Sequence, residues 1–192
     1  MILYLHGFRS SPDSYKARLM HESLQALELQ DRWHCPQLST QPRRAIQECM
    51  QLITQQLGAD EPLAIVGSSL GGFYATYLAE QWPNARAVVL NPVVNAARQL
   101  ANYVGTLTNY HSNESFEFTL DDVRSLEELA VTAITRPERY FLLAATGDEL
   151  LDWREMAAHY EGAKQHIISG SDHGLSDFAD YLPEVLSFID PR

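Results

Sequence analysis

Short apolar runs alternate along the chain with longer stretches in which apolar residues recur at helical spacing. That alternation is the pattern of a parallel sheet covered by helices on both faces. Ile2–His6, Trp33–Leu38, Leu63–Gly67, Ala87–Asn91, Tyr140–Ala145 and Gln165–Ile168 read as strands. Each is too short for a core helix, and strands buried on both faces lose the polar alternation of a half-exposed sheet. Between them, Ser14 is placed to cap a helix carrying Leu19, Leu24 and Leu27, and Pro42 to open another that stops at Gly58. Leu70–Trp82 follows the third strand and is ended by Pro83, and a last helix from near Ser176 lines Phe178, Tyr181, Leu182, Val185 and Ile189 along one stripe.

Residues 95–136 break the alternation, with helical stretches but no convincing strand. The expectation is a small cap over the sheet, in which Asn109–Phe118 forms a polar loop with aromatic residues overhanging a site. A length of 192 residues suits one domain, 1–192, including that cap, in an α/β architecture of about six mostly parallel strands.

Composition narrows the function. A formal net charge of −11 opposes a polyanionic partner, so nucleic acid is not expected. The basic residues of the first quarter, Arg9, Lys16, Arg18, Arg32, Arg43 and Arg44, read mainly as solvated helix faces. Cys35 and Cys49 belong to no metal-ligand pattern, and nothing requires that they pair. The opening Met-Ile-Leu-Tyr-Leu-His-Gly has no basic leader and too short an apolar run for a signal peptide or a membrane span, so a cytoplasmic protein with reduced thiols is expected.

The chemistry is read from Gly67-Ser68-Ser69-Leu70-Gly71, which fits G-x-S-x-G only with Ser69 at the centre. It joins a buried strand to a helix, the setting in which a sharp turn projects a serine hydroxyl and tolerates only small neighbours. Serine needs a base to take its proton and a carboxylate to orient that base. His173, in Ser169-Gly170-Ser171-Asp172-His173-Gly174, lies after both Ser69 and a candidate acid, in a loop that follows a strand, whereas His166 falls inside the strand. Asp148, just past Tyr140–Ala145, is the preferred acid. Glu149 and Asp152 compete, Asp152 reading also as a helix cap, and Asp172 is poorly placed beside His173. Acyl transfer also needs oxyanion donors, expected from the backbone N–H of Leu70 and of Phe8, where Gly7 lets the chain turn. His6 is expected to orient that loop, and Arg9 and Lys16 to lie near the substrate mouth, where they would favour an anionic group.

With these residues in place, nearly the whole chain resembles the small bacterial YqiA-type esterases, a compact branch of the α/β-hydrolase superfamily. The resemblance rests on Ile2-Leu3-Tyr4-Leu5-His6-Gly7-Phe8 with Ser10-Ser11-Pro12, on Gly67 to Ala75, on Leu90-Asn91-Pro92, on Thr146-Gly147-Asp148-Glu149 and on Gly170-Ser171-Asp172-His173. It implies hydrolysis of small-molecule carboxylic esters, including thioesters such as acyl-CoA, with Ser69, Asp148 and His173 as a triad and no cofactor. It also implies a sheet lacking the first hairpin of larger relatives, which leaves less scaffold for a lid. The same residues could serve perhydrolysis or carbon–carbon bond hydrolysis, or persist in a binding module without turnover, while Ser69 argues against chemistry that starts from an Asp nucleophile.

Overall fold

The computed structural model describes residues 1–58, 61–112 and 114–189. Six parallel strands form the main sheet: β1 (Ile2–Leu5), β2 (Trp33–His34), β3 (Ala64–Ser68), β4 (Arg86–Leu90), β7 (Tyr140–Ala145) and β8 (Lys164–Ile168), in the order β2-β1-β3-β4-β7-β8. Side chains alternate between the faces. Leu3 and Leu5 join one apolar layer with α2 (Pro42–Gln56), α3 (Leu70–Gln81), α5 (Leu120–Glu128) and α6 (Trp153–His159). Ile2 and Tyr4 join the other with α1 (Tyr15–Ala26) and α7 (Phe178–Ile189). Burial on both sides is why these strands read as unbroken apolar runs.

The chain leaves β1 for one edge of the sheet and returns through β3 towards the other, so the strand order reverses between β1 and β3. In open parallel sheets the crevice at such a reversal, beyond the carboxyl ends of the strands, is where ligands bind. Leu5 pairs with Gly67, Ser68 with Leu90 and Leu90 with Leu143, so β1, β3 and β4 end within a residue of one level and β7 runs two residues further at the same end of the sheet.

Strand ends agree with the sequence pattern to within a residue except at β2, which stops at His34 instead of Leu38. Pro36 has no N–H for a ladder, and the Leu38 N–H donates to the His6 ring (3.1 Å) in place of a neighbouring strand. Ser14 does take the N-cap position of α1, but its side chain makes no capping bond. The larger correction lies in residues 95–136. After α4 (Ala96–Leu100), β5 (Gly105–Thr108) and β6 (Ser115–Phe118) form a separate antiparallel hairpin where no strand was expected. Phe116 and Phe118 point to its packed side, and Ser115 and Glu117 to solvent. The expected loop therefore contains a strand; Asn113, within it, lies outside the described residues. Among the described residues no helix is long and apolar enough to cross a membrane.

Candidate active site

The turn from β3 into α3 is built around a close approach. A Cβ at Gly71 would overlap the Leu5 carbonyl oxygen, and one at Gly67 would overlap the carbonyl of Gly71. Only glycine lets the first turn of α3 pack so tightly against β1 and β3. Between these glycines, Ser69 has φ 56° and ψ −119°. A non-glycine residue in such a conformation costs about 1–3 kcal/mol, which its surroundings must offset. They do so by hydrogen bonds on both sides: the Ser69 N–H donates to the Leu90 carbonyl (3.0 Å), and the Ser69 carbonyl accepts from Gly72 (2.9 Å) and Val93 (3.1 Å).

From this strained turn a hydrogen-bonded line runs across the edge of the sheet. Ser69 Oγ lies 3.0 Å from His173 Nε2, and His173 Nδ1 lies 2.8 Å from Asp148 Oδ2. With Nδ1–H donating to the carboxylate, Nε2 is free to accept from the serine hydroxyl. The Asp148 side chain is fully buried, and its other oxygen accepts from the N–H groups of Leu150 and Leu151, each at 2.9 Å.

The competing acids have other duties. Glu149 accepts from the backbone N–H of His173 (3.0 Å), Asp152 caps α6 through the Arg154 N–H (2.9 Å), and Asp172 accepts from the Ser176 N–H (2.9 Å). His166 lies in β8 and bonds Glu184 (2.9 Å). His6 bridges two loops: Nδ1 lies 3.0 Å from the Gly7 carbonyl, Nε2 accepts from Leu38, and burial lowers its pKa, which favours the neutral ring. It orients the β1 loop, as expected.

That loop carries Gly7 and Phe8 beside the nucleophile; a Cβ on Gly7 would sit 3.9 Å from Ser69 Oγ. Among the described residues neither the Phe8 nor the Leu70 N–H has an acceptor. Two donors thus flank Ser69, one at the first residue of a helix, where the backbone carries partial positive charge. The Phe8 ring packs against Tyr103, Phe116 and Phe118, with centroids 5.2–6.1 Å away, so the hairpin fixes the loop from above.

Ser69 and His173 open into a cavity of about 340 Å³. Its lining is mainly apolar, with Phe8, Val93, Leu100, Tyr103, Leu150 and Leu151, and its polar members include Tyr4, Ser14, Lys16 and Ser68. Arg9 also lines it, but its guanidinium is committed to the hairpin, donating to the Thr108 carbonyl (2.6 Å) and the Tyr110 hydroxyl (3.2 Å) and lying 4.2 Å from the Tyr110 ring centre. Lys16 instead reaches back to the Gly174 carbonyl, next to His173. Among the described residues no group of three or more His, Cys, Asp or Glu is arranged to hold a metal, and both cysteines are free.

One residue of the site was not recognised from the sequence pattern. Asn91 is fully buried at the end of β4 with φ 41°. Its amide nitrogen donates to the carbonyls of Asp172 (2.9 Å) and His173 (3.1 Å), and its oxygen accepts from the Ala145 N–H (2.8 Å). It therefore ties the histidine loop to the strand that leads to Asp148. The available signal was a polar residue ending a buried apolar strand, just before a proline.

A parallel sheet with Ser, Asp and His following β3, β7 and β8 in that chain order, and a strained serine at the β3–α3 turn, defines the α/β-hydrolase fold. Within it the chain belongs to the UPF0227 family, described as an uncharacterised protein family and comprising YqiA-type proteins; the family model matches residues 1–190. Among solved structures it is similar to mouse alpha/beta hydrolase domain-containing protein 10, at 15% identity and a TM-score of 0.71 over 98% of this chain and 90% of that one. It is also similar to Est1E of Butyrivibrio proteoclasticus with ferulic acid bound, at 13% identity and a TM-score of 0.71 over 100% and 89% of the two chains. The esterase domain of a Rhodothermus marinus protein matches at 17% identity and a TM-score of 0.65 over 96% and 83%. At such identities the likeness is one of fold.

Proposed function

We propose that this chain is a serine esterase that cleaves carboxylic esters, thioesters among them, through an acyl-enzyme. The observation that carries this reading is the hydrogen-bonded line from buried Asp148 through His173 to the strained Ser69, which faces a cavity. In the reaction His173 Nε2 takes the Ser69 proton as Oγ attacks the ester carbonyl carbon. Asp148 holds the ring in the Nδ1–H tautomer and stabilises the imidazolium that forms. The N–H groups of Phe8 and Leu70 receive the oxyanion, a duty for which a donor must have no other acceptor. The imidazolium then protonates the leaving alcohol or thiol, and water, activated by the same ring, releases the acid.

A fluorophosphonate probe is expected to label the wild type at Ser69 and to leave Ser69→Ala unlabelled. A panel of p-nitrophenyl esters and acyl-CoA thioesters of rising chain length, run in parallel, defines the leaving group and acyl length. An intact, folded protein that neither labels nor turns over any of these compounds would sink the reading.

A further inference from the structure

The cavity lining carries polar groups that a simple alkyl ester does not need. Lys16, on the second residue of α1, donates to the Gly174 carbonyl and keeps two further N–H directions. Among the described residues no carboxylate pairs with it. Asp148 and Asp172 act on it from a distance, and both are already held by the backbone donors described above.

Ser14 adds a second, independent observation. Its hydroxyl lies at the cavity wall and makes no capping bond, although it occupies the N-cap of a 12-residue helix; it is turned to the Tyr4 phenol instead. A serine at that position ordinarily accepts from the first turn. Here it does not, and no acidic residue stands in that turn to complement the helix dipole. The buried phenol of Tyr4 and the hydroxyl of Ser68 lie close by on the same wall. Three hydroxyls, an ammonium and the positive end of a helix thus converge beside the nucleophile.

We propose that this lobe seats a carboxylate, so that the preferred esters carry a second, ionised acid group held by Lys16 and the hydroxyls of Tyr4, Ser14 and Ser68. The inference deepens the esterase reading and rests on it. Burial pushes the Lys16 ammonium down to about 8, and a bound anion offsets that cost. Arg9, the other cation at the cavity wall, is turned to the hairpin, where its Nε and Nη1 donate.

The test separates binding from turnover. Binding of monomethyl and dimethyl adipate to Ser69→Ala is measured by calorimetry, with hydrolysis of the same esters and of p-nitrophenyl butyrate by the wild type. Monomethyl adipate is expected to bind at least about tenfold tighter than the dimethyl ester, the effect of one charge-assisted hydrogen-bonded pair. Adding Lys16→Met removes the preference, Lys16→Arg retains it, and Ser14→Ala reduces it about threefold. Equal binding of the two adipates, or a preference that survives Lys16→Met, overturns the proposal. Turnover of p-nitrophenyl butyrate without carboxylate preference leaves the esterase standing and removes only this inference. Carboxylate binding to Ser69→Ala without turnover of any ester does the reverse.

Discussion

The two ends of helix α3 lie at opposite ends of the sheet's strands, and buried polar groups are used differently at each. At its C-terminal end Arg139 donates to the carbonyls of Ala79 (2.8 Å), Trp82 (3.1 Å) and Ala85 (3.2 Å) and reaches Glu80 (3.3 Å). Glu80 in turn accepts from Thr135 and from the Tyr140 hydroxyl. Of these groups the Arg139 Nε alone, among the described residues, is buried without a partner, and the network closes the helix end against the start of β7. At the N-terminal end Asn91, His173 and Asp148 are just as tightly held, but they surround two backbone donors that have no acceptor among the described residues, the Phe8 and Leu70 N–H. The end that serves folding spends nearly all its polar atoms on one another, whereas the end that serves chemistry keeps backbone donors beside the nucleophile for a ligand.

The comparison is broken most sharply by one substitution at each end. Asp148→Asn keeps the shape of the acid but cannot accept the His173 proton donor in the same tautomer, and kcat is expected to fall by about 10⁴-fold. Melting temperature should change little. Steady-state kinetics beside thermal denaturation checks this, and a variant retaining more than a tenth of wild-type kcat would place the orienting acid elsewhere. Arg139→Met is expected to do the converse, lowering unfolding free energy by about 3 kcal/mol because it strands a buried carboxylate and three carbonyls. Below the new melting temperature kcat/KM should match wild type. Urea titration and kinetics on the same preparation test both halves.

Asn91→Ala lies between these cases, because Asn91 is a positioning residue for the histidine loop. Loss of its three hydrogen bonds should lower kcat about 10²-fold through misplacement of the His173 ring, with KM nearly unchanged. A purely structural role would lower stability and leave kcat of the folded fraction intact; fluorophosphonate labelling rates in wild type and variant distinguish the two.

Asn91 also marks the limit of what the sequence reveals. Strand positions were legible because local burial leaves an apolar run, and the site residues because each of Gly7, Ser69, Asp148 and His173 follows a strand end by a few positions. These are short-range signals. The three partners of Asn91 are backbone atoms from residues 145, 172 and 173, which only the folded sheet brings together. The hairpin escaped for a related reason: Gly105-Thr-Leu-Thr and Ser115-Phe-Glu-Phe alternate, but half of each strand faces solvent and the apolar half packs on Phe8, a residue about a hundred positions away. Ser14 shows the opposite error. Its local signal for a cap was correct in position, but the hydroxyl lies in the cavity wall.

The smallest effect concerns charge at the closed end. Burial pushes the Glu80 carboxyl up, but hydrogen bonds from Thr135 and Tyr140 and the charge of Arg139 outweigh it, so its pKa lies below the ordinary 4.5. A depressed carboxylate contributes stability that is fully present above the unfolded value and is lost as the pH falls through the folded one, where both states bind the proton. Glu80→Gln removes that titration while keeping the side chain's shape. The melting-temperature gap between wild type and Glu80→Gln should therefore be widest above pH 4.5 and should narrow as the pH falls below it. A gap that stays constant from neutral pH down to pH ~3 would show that the carboxylate's charge contributes nothing and that its hydrogen bonds alone close this end.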